Sequence, residues 1–142
     1  MDDIRIVVED IAFLPVRHNS GDAGADLRAA EDALILPGMC VNVSTGIRIA
    51  IPYRFGGFIF PRSGLATKYG IRLANGVGVI DCEYRGPVKV PLRNDGSTPY
   101  QVKRGDRIAQ LVIMQVGLPG FLLVDELTGT VRGEGGFGST GV

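Results

Sequence analysis

The chain contains no tryptophan, one histidine and two cysteines. A lone His18 cannot build a histidine-rich metal site, and it stands beside Asn19-Ser20-Gly21, the setting of a surface loop. Cys40 and Cys82 are too few for a disulfide framework and lack metal-ligand spacing, so free thiols in a cytoplasmic protein are expected. Net charge is also missing. Fifteen basic residues balance fifteen acidic ones, which argues against sequence-independent binding to nucleic acid. A small anionic ligand is not excluded, because it needs only a few cations in the right place. No apolar run is long enough to span a membrane. The start, Met1-Asp2-Asp3, has neither the basic nor the apolar region of a signal peptide, so none is expected.

What the chain does have is glycine, 21 residues without a period. Collagen and solenoid repeats are thereby excluded. The glycines mark turns and loops that come close to a ligand. Hydrophobic residues make up 45% of the 142, enough for the core of one domain. Their period is two. Ile4, Ile6 and Val8 alternate with polar neighbours, as do Val41 and Val43, then Ile47, Ile49 and Ile51, then Val88, Val90 and Leu92. Short apolar runs occur at Phe58–Phe60, Val77–Ile80, Ile108–Val116 and Phe121–Val124. Separated by Gly, Pro, Asn and Asp, these segments predict an all-β fold of barrel or sandwich type. Pro91 inside a strand pattern predicts an edge position or a bulge. Only Ser63–Tyr69 reads as a helix, with Gly70 as its stop and Ser63 as a candidate N-cap. There is no strand-helix alternation, so a dinucleotide or P-loop architecture is not expected.

Five stretches carry more glycine and polar chemistry than strands and turns require. They are Gly21–Leu27, Pro61–Ala66, Asn75–Gly86, Gly105–Leu111 and Arg132–Gly141. Taken singly, each has an ordinary reading. Asp26 and Asp81 suit turns, Tyr84 suits packing, Gly105-Asp106 suits a hairpin, and Gln110 suits a solvent-facing strand position. Arg62 at the start of a helix suits an anion as well as a cap. The last stretch, RGEGGFGSTG, has too little to bury to hold itself in a core. It also lacks the lysine and following helix of a phosphate-binding P-loop.

Taken together, PRSGLA, GVID followed by YRG, RGDRIAQL and RGEGGFGSTG resemble, in order, the motifs of the trimeric dUTPase family. The match runs from Gly21 to the end of the chain. The resemblance implies a distorted jelly-roll-like β-barrel over residues 1–128 and a flexible glycine-rich arm over 129–142. It implies a homotrimer whose active sites are shared between subunits, hydrolysis of dUTP to dUMP and pyrophosphate, and Mg²⁺ as cofactor. It implies neither a nucleic-acid nor a membrane partner.

By the same resemblance, Asp81 is the catalytic carboxylate that activates water and also binds the 3′-hydroxyl. Tyr84 packs under the deoxyribose. Asn75 reads uracil together with the backbone around Val79 and Ile80, and Lys89 adds a nucleotide contact. Arg62, Ser63, Gly64 and Gln110 bind phosphate, and Asp26 reaches Mg²⁺ through water. From the arm, Arg132 pairs with the γ-phosphate, Phe137 stacks on uracil, and Gly138, Ser139 and Thr140 close on the phosphates. A dCTP deaminase on the same fold would carry Arg-Ser-Ser, whereas here Gly64 follows Ser63. A non-catalytic nucleotide-binding trimer would not need the full set of catalytic positions. A lectin-like or capsid-like jelly roll explains the strands but not the five stretches.

Overall fold

Alternating side chains give short strands, and short strands need several partners to cover them. The computed structural model describes residues 3–136. It contains β1 (Arg5–Val8), β2 (Ala25–Arg28), β3 (Ala33–Ile35), β4 (Cys40–Ser44), β5 (Ile47–Ala50), β6 (Phe55–Phe60), β7 (Ile71–Leu73), β8 (Gly78–Ile80), β9 (Lys89–Asn94), β10 (Tyr100–Val102) and β11 (Arg107–Gln115), with one α-helix, α1 (Ser63–Tyr69), and a short 3₁₀ helix at Ile11–Phe13. Every ladder is antiparallel. The largest sheet runs β2-β11-β6-β8 and a second runs β4-β9-β7, while β1 pairs with β5 and β3 with β10. The four sheets share one core but do not close into a single hydrogen-bonded ring among the described residues. Leu27, Ile35, Ile47, Leu73, Val90, Val102 and Ile108 meet in that core from all four sheets.

Asn94 ties two of the sheets together. It is fully buried in β9, and its Nδ2 donates to the carbonyls of Ile35 (2.9 Å) and Thr98 (2.8 Å) while its Oδ1 accepts from the Gly96 amide (2.9 Å). Asn94→Ala strands those backbone groups without partners. Since a buried unpaired group costs about 1–3 kcal/mol, the variant is expected to lose roughly 3 kcal/mol in urea unfolding. A loss below about 1 kcal/mol, the net worth of one ordinary hydrogen bond, would show that water replaces the side chain.

The helix begins and ends where the sequence predicts, and Gly70 stops it in a left-handed conformation at φ 68°. Its N-cap is Arg62, without a side-chain cap bond, so Ser63 opens the first turn rather than capping it. Pro91 is not at an edge, because β9 is the middle strand between β4 and β7. Its ring nitrogen is tolerated there for a local reason. The Pro91 carbonyl takes the amide of Ala74, just past the end of β7, so Pro91 turns its donor-less side to where that ladder stops. Phe121–Val124 forms no strand. Phe121, Leu122 and Leu123 are fully exposed or nearly so, because among the described residues no strand lies beside them. Cys40 and Cys82 are both free thiols.

Candidate functional site

Two groups of the expected residues assemble, in different places. The first lies around the end of β8. A cleft of about 460 Å³ is lined by Asn75, Gly78, Val79, Ile80, Asp81, Tyr84 and Lys89, with Ile59, Pro87 and Val88 completing its wall. The turn before β8 contains Gly76 at φ 71°, a conformation that favours glycine. Gly78 is closely packed, since a Cβ there would lie 3.2 Å from Cβ of Ile59, which would have to give by a few tenths of an ångström. Val79 alternates outward between buried Gly78 and Ile80, so it faces the cleft. The strand β8 is an edge, paired only with β6. Its outer backbone groups are therefore available to a ligand in the cleft. Asp81 is the first residue past β8 and is exposed. The ion pairs among the described residues engage Asp10, Asp26 and Asp95 but not Asp81. Tyr84 is 45% exposed, and its hydroxyl donates to the Pro87 carbonyl at 3.0 Å.

The second group sits across β2, β11 and the exit of β6. Register brings it together. Gln110 lies opposite Asp26 on one side and Phe60 on the other. Asp26 pairs with Nε of Arg62 at 3.2 Å and with Nη1 of Arg107 at 3.2 Å. Gln110 Nε2 donates to the Pro61 carbonyl at 3.1 Å, which fixes the chain just before Arg62. Gly24 packs directly against the Gln110 side chain. Ser63 and Gly64 follow on the exposed first turn of α1, and a Cβ at Gly64 would meet nothing within 4 Å. Packing within this chain therefore gives no reason for glycine at that position.

Two guanidinium groups around one carboxylate leave a positive excess. Such partly exposed pairs are worth only about 0–1 kcal/mol, so the arginines can turn to an incoming phosphate at little cost. Arg107 is the member that the sequence reading did not select. It reaches Asp26 because the β11–β2 register shifts between Arg107 and Ala109, and a bulge re-aims side chains in this way. The composition of RGDRIAQL gives no sign of the bulge.

The same site limits how a metal can be held. Among the described residues no group of three His, Cys, Asp or Glu side chains is placed to ligate a cation. Asp26, already flanked by two arginines, fits Mg²⁺ held through water and phosphate rather than in a protein cage.

The two groups lie at opposite ends of β6. Ile80 pairs with Gly57, so Asp81 follows at the Gly56 end of that strand, whereas Arg62 leaves from the Phe60 end. The four strand steps from Gly56 to Phe60 span roughly 13 Å at about 3.3 Å per residue, and Arg62 stands two residues beyond them. Arg132 joins neither group. It is exposed, and its Nε donates to the Gly135 carbonyl at 2.8 Å within its own turn. Phe137, Gly138, Ser139 and Thr140 lie outside the described residues.

Comparison with known proteins gives a consistent result. The family model described as dUTPase matches residues 11–141. A deoxyuridine 5′-triphosphate nucleotidohydrolase of Thermobifida fusca is 54% identical over 129 residues, covering 90% of this chain and 72% of the relative. One of Desulfitobacterium hafniense is 52% identical over 132 residues, covering 91% of this chain and 87% of the relative. Among solved structures, a dUTPase of Staphylococcus bacteriophage 80alpha with dUPNHPP superposes with a TM-score of 0.92 at 26% identity, covering all of both chains.

Proposed function

The chain belongs to the dUTPase family, and from that premise we propose that it hydrolyses dUTP to dUMP and pyrophosphate. The reaction would limit uracil in DNA and supply dUMP for dTMP synthesis. The observation that carries the mechanism is that Asp81 and Arg62 stand at opposite ends of β6, with roughly 13 Å of strand between Gly56 and Phe60 at about 3.3 Å per residue. A general base works at about 3 Å from its proton, so one chain does not readily hold the phosphates on Arg62 while Asp81 attacks. Two copies can, if the cleft of one faces the arginine group of the next. The homotrimer that the family resemblance implies would place such shared sites between subunits. The uncovered run Phe121–Val124 supports it as well, because such a run calls for a neighbouring copy.

Within a shared site, uracil lies against the free edge of β8, read by backbone groups near Val79 and Ile80 and by Asn75, with Lys89 at the rim. A buried edge committed to uracil's donors and acceptors leaves groups unpaired with cytosine, a discrimination of about 10⁴ or more. Tyr84 packs under the deoxyribose and leaves no room for a 2′-hydroxyl. Arg62, Ser63, Gly64 and Gln110 from another copy take the phosphates. Asp26 would hold Mg²⁺ through water, and the metal, bound with the nucleotide, would supply charge neutralisation and orientation of the triphosphate. Asp81 holds the 3′-hydroxyl and orients a water in line with the α-phosphorus, accepting its proton. The new bond joins that oxygen to the α-phosphorus, and the bond to the bridging oxygen breaks as pyrophosphate leaves. The arm, residues 129–142, closes over the site. Arg132 is on the γ-phosphate, Phe137 on uracil, and Gly138, Ser139 and Thr140 on the phosphates, which excludes bulk water. Two free thiols are compatible with work in the cytoplasm.

Turnover in oxygen-18 water tests the regiochemistry. Label is expected in dUMP alone, and label in pyrophosphate would move the attack to the β-phosphorus. Tyr84→Ala tests the sugar reading. Removing a steric exclusion of this size is expected to lower the dUTP/UTP ratio of kcat/KM by about 10- to 200-fold, and an unchanged ratio would mean that the sugar is read elsewhere.

A further inference from the structure

The turn after Asp81 holds Tyr84 closer to Gly86 than their spacing suggests. A Cβ built on Gly86 would fall 2.5 Å from the Tyr84 hydroxyl oxygen, 2.6 Å from Cζ and 3.0 Å from Cε2. Carbon atoms in contact stand about 3.5–4.0 Å apart, so no side chain fits there while the ring stays in place. Gly86 is not among the glycines with positive φ. Space, and not backbone conformation, is what requires glycine at this position. The backbone around the ring is separately fixed. Arg85 Nη1 donates to the carbonyls of Cys82 (2.6 Å) and Tyr84 (2.8 Å), and the Tyr84 amide donates to the Asp81 carbonyl (3.1 Å). The ring, half exposed and held at its tip by Pro87, is the part that can move.

From this geometry we infer that Gly86 is a positioning residue for sugar selection. Its missing side chain is the seat onto which the Tyr84 ring folds, and the seat sets the clearance beneath the sugar. The inference rests on the proposed reading of Tyr84. A methyl group at position 86 lifts the ring by about 1 Å to restore ordinary contact and breaks the hydroxyl bond to Pro87. The plane that discriminates deoxyribose from ribose is then no longer fixed, although the turn remains held by Arg85 and by the Tyr84 amide on the Asp81 carbonyl.

The experiment is a double-mutant cycle on dUTP and UTP with the full chain, using Gly86→Ala, Tyr84→Ala and the pair. Because a 1 Å misplacement can cost up to about 10²-fold, Gly86→Ala is expected to lower the dUTP/UTP ratio of kcat/KM at least tenfold. The loss should be carried by KM for dUTP, with kcat nearly unchanged. In the Tyr84→Ala background the added methyl has no ring to displace and should change nothing further. If Tyr84→Ala lowers the ratio but Gly86→Ala does not, the inference about Gly86 is wrong and the reading of Tyr84 stands. The same conclusion follows if Gly86→Ala is equally harmful with and without the ring, since the damage then lies in the backbone. If Tyr84→Ala itself leaves the ratio unchanged, the reading of Tyr84 fails and takes this inference with it.

Discussion

Asp81→Asn is expected to bind dUTP about as well as the parent chain and to turn it over about 10²–10⁴-fold more slowly, the usual worth of a positioned general base. Asparagine keeps the shape of the side chain and its hydrogen bond to a 3′-hydroxyl. It cannot accept the proton of the attacking water. The local structure favours a clean result. Asp81 is exposed at the mouth of the cleft and takes part in none of the described ion pairs, so its replacement leaves no buried charge unpaired. Calorimetric binding of a non-hydrolysable dUTP analogue, set beside single-turnover hydrolysis, separates the two effects. Turnover within about tenfold of the parent, a loss smaller than general-base catalysis supplies, would remove Asp81 from its role. A matching loss of binding would make it a substrate anchor only.

Removal of residues 132–142 should leave folding and assembly intact and reduce kcat/KM by about 10²-fold or more, the scale on which positioning of a bound substrate acts. The described part of this segment contributes nothing to the hydrophobic core, and Arg132 bonds only within its own turn. Its loss therefore costs the fold little. If the arm supplies the γ-phosphate and uracil contacts and excludes bulk water, the site without it is open and incomplete. Size-exclusion chromatography and steady-state kinetics on the truncated chain decide the matter. Dissociation or unfolding would assign the segment to the assembly instead, and an unchanged kcat/KM would leave it without a part in the reaction.

Much of the fold is legible in local pattern. Ile6 and Val8 face inward from β1, with Ile4 just before it, as Ile47 and Ile49 do from β5, because a period of two is what a half-buried strand requires. The bounds of α1 follow from helix formers stopped by Gly70. The cleft was also legible, because its residues are near one another in sequence and one turn gathers them. The division of the site was not. Nothing between Arg62 and Asp81 says at which end of β6 each will stand, and that depends on the antiparallel register of β6 with β8. Arg107 was hidden by a register shift, and Pro91 by a ladder that stops beside it. Phe121–Val124 reads as a strand because it is apolar, yet a strand needs a neighbour, and the described residues provide none. In each case, the missing information is which backbone lies alongside.

The central claim is tested most directly by pyrophosphate release with Mg²⁺ from dUTP, dCTP, dTTP and UTP at equal concentration, with ammonia measured in parallel. Strong release from dUTP and little from the others is the predicted result. Ammonia from dCTP would make the protein a deaminase, and no reaction with any of the four would leave a nucleotide-binding scaffold; either would contradict the account.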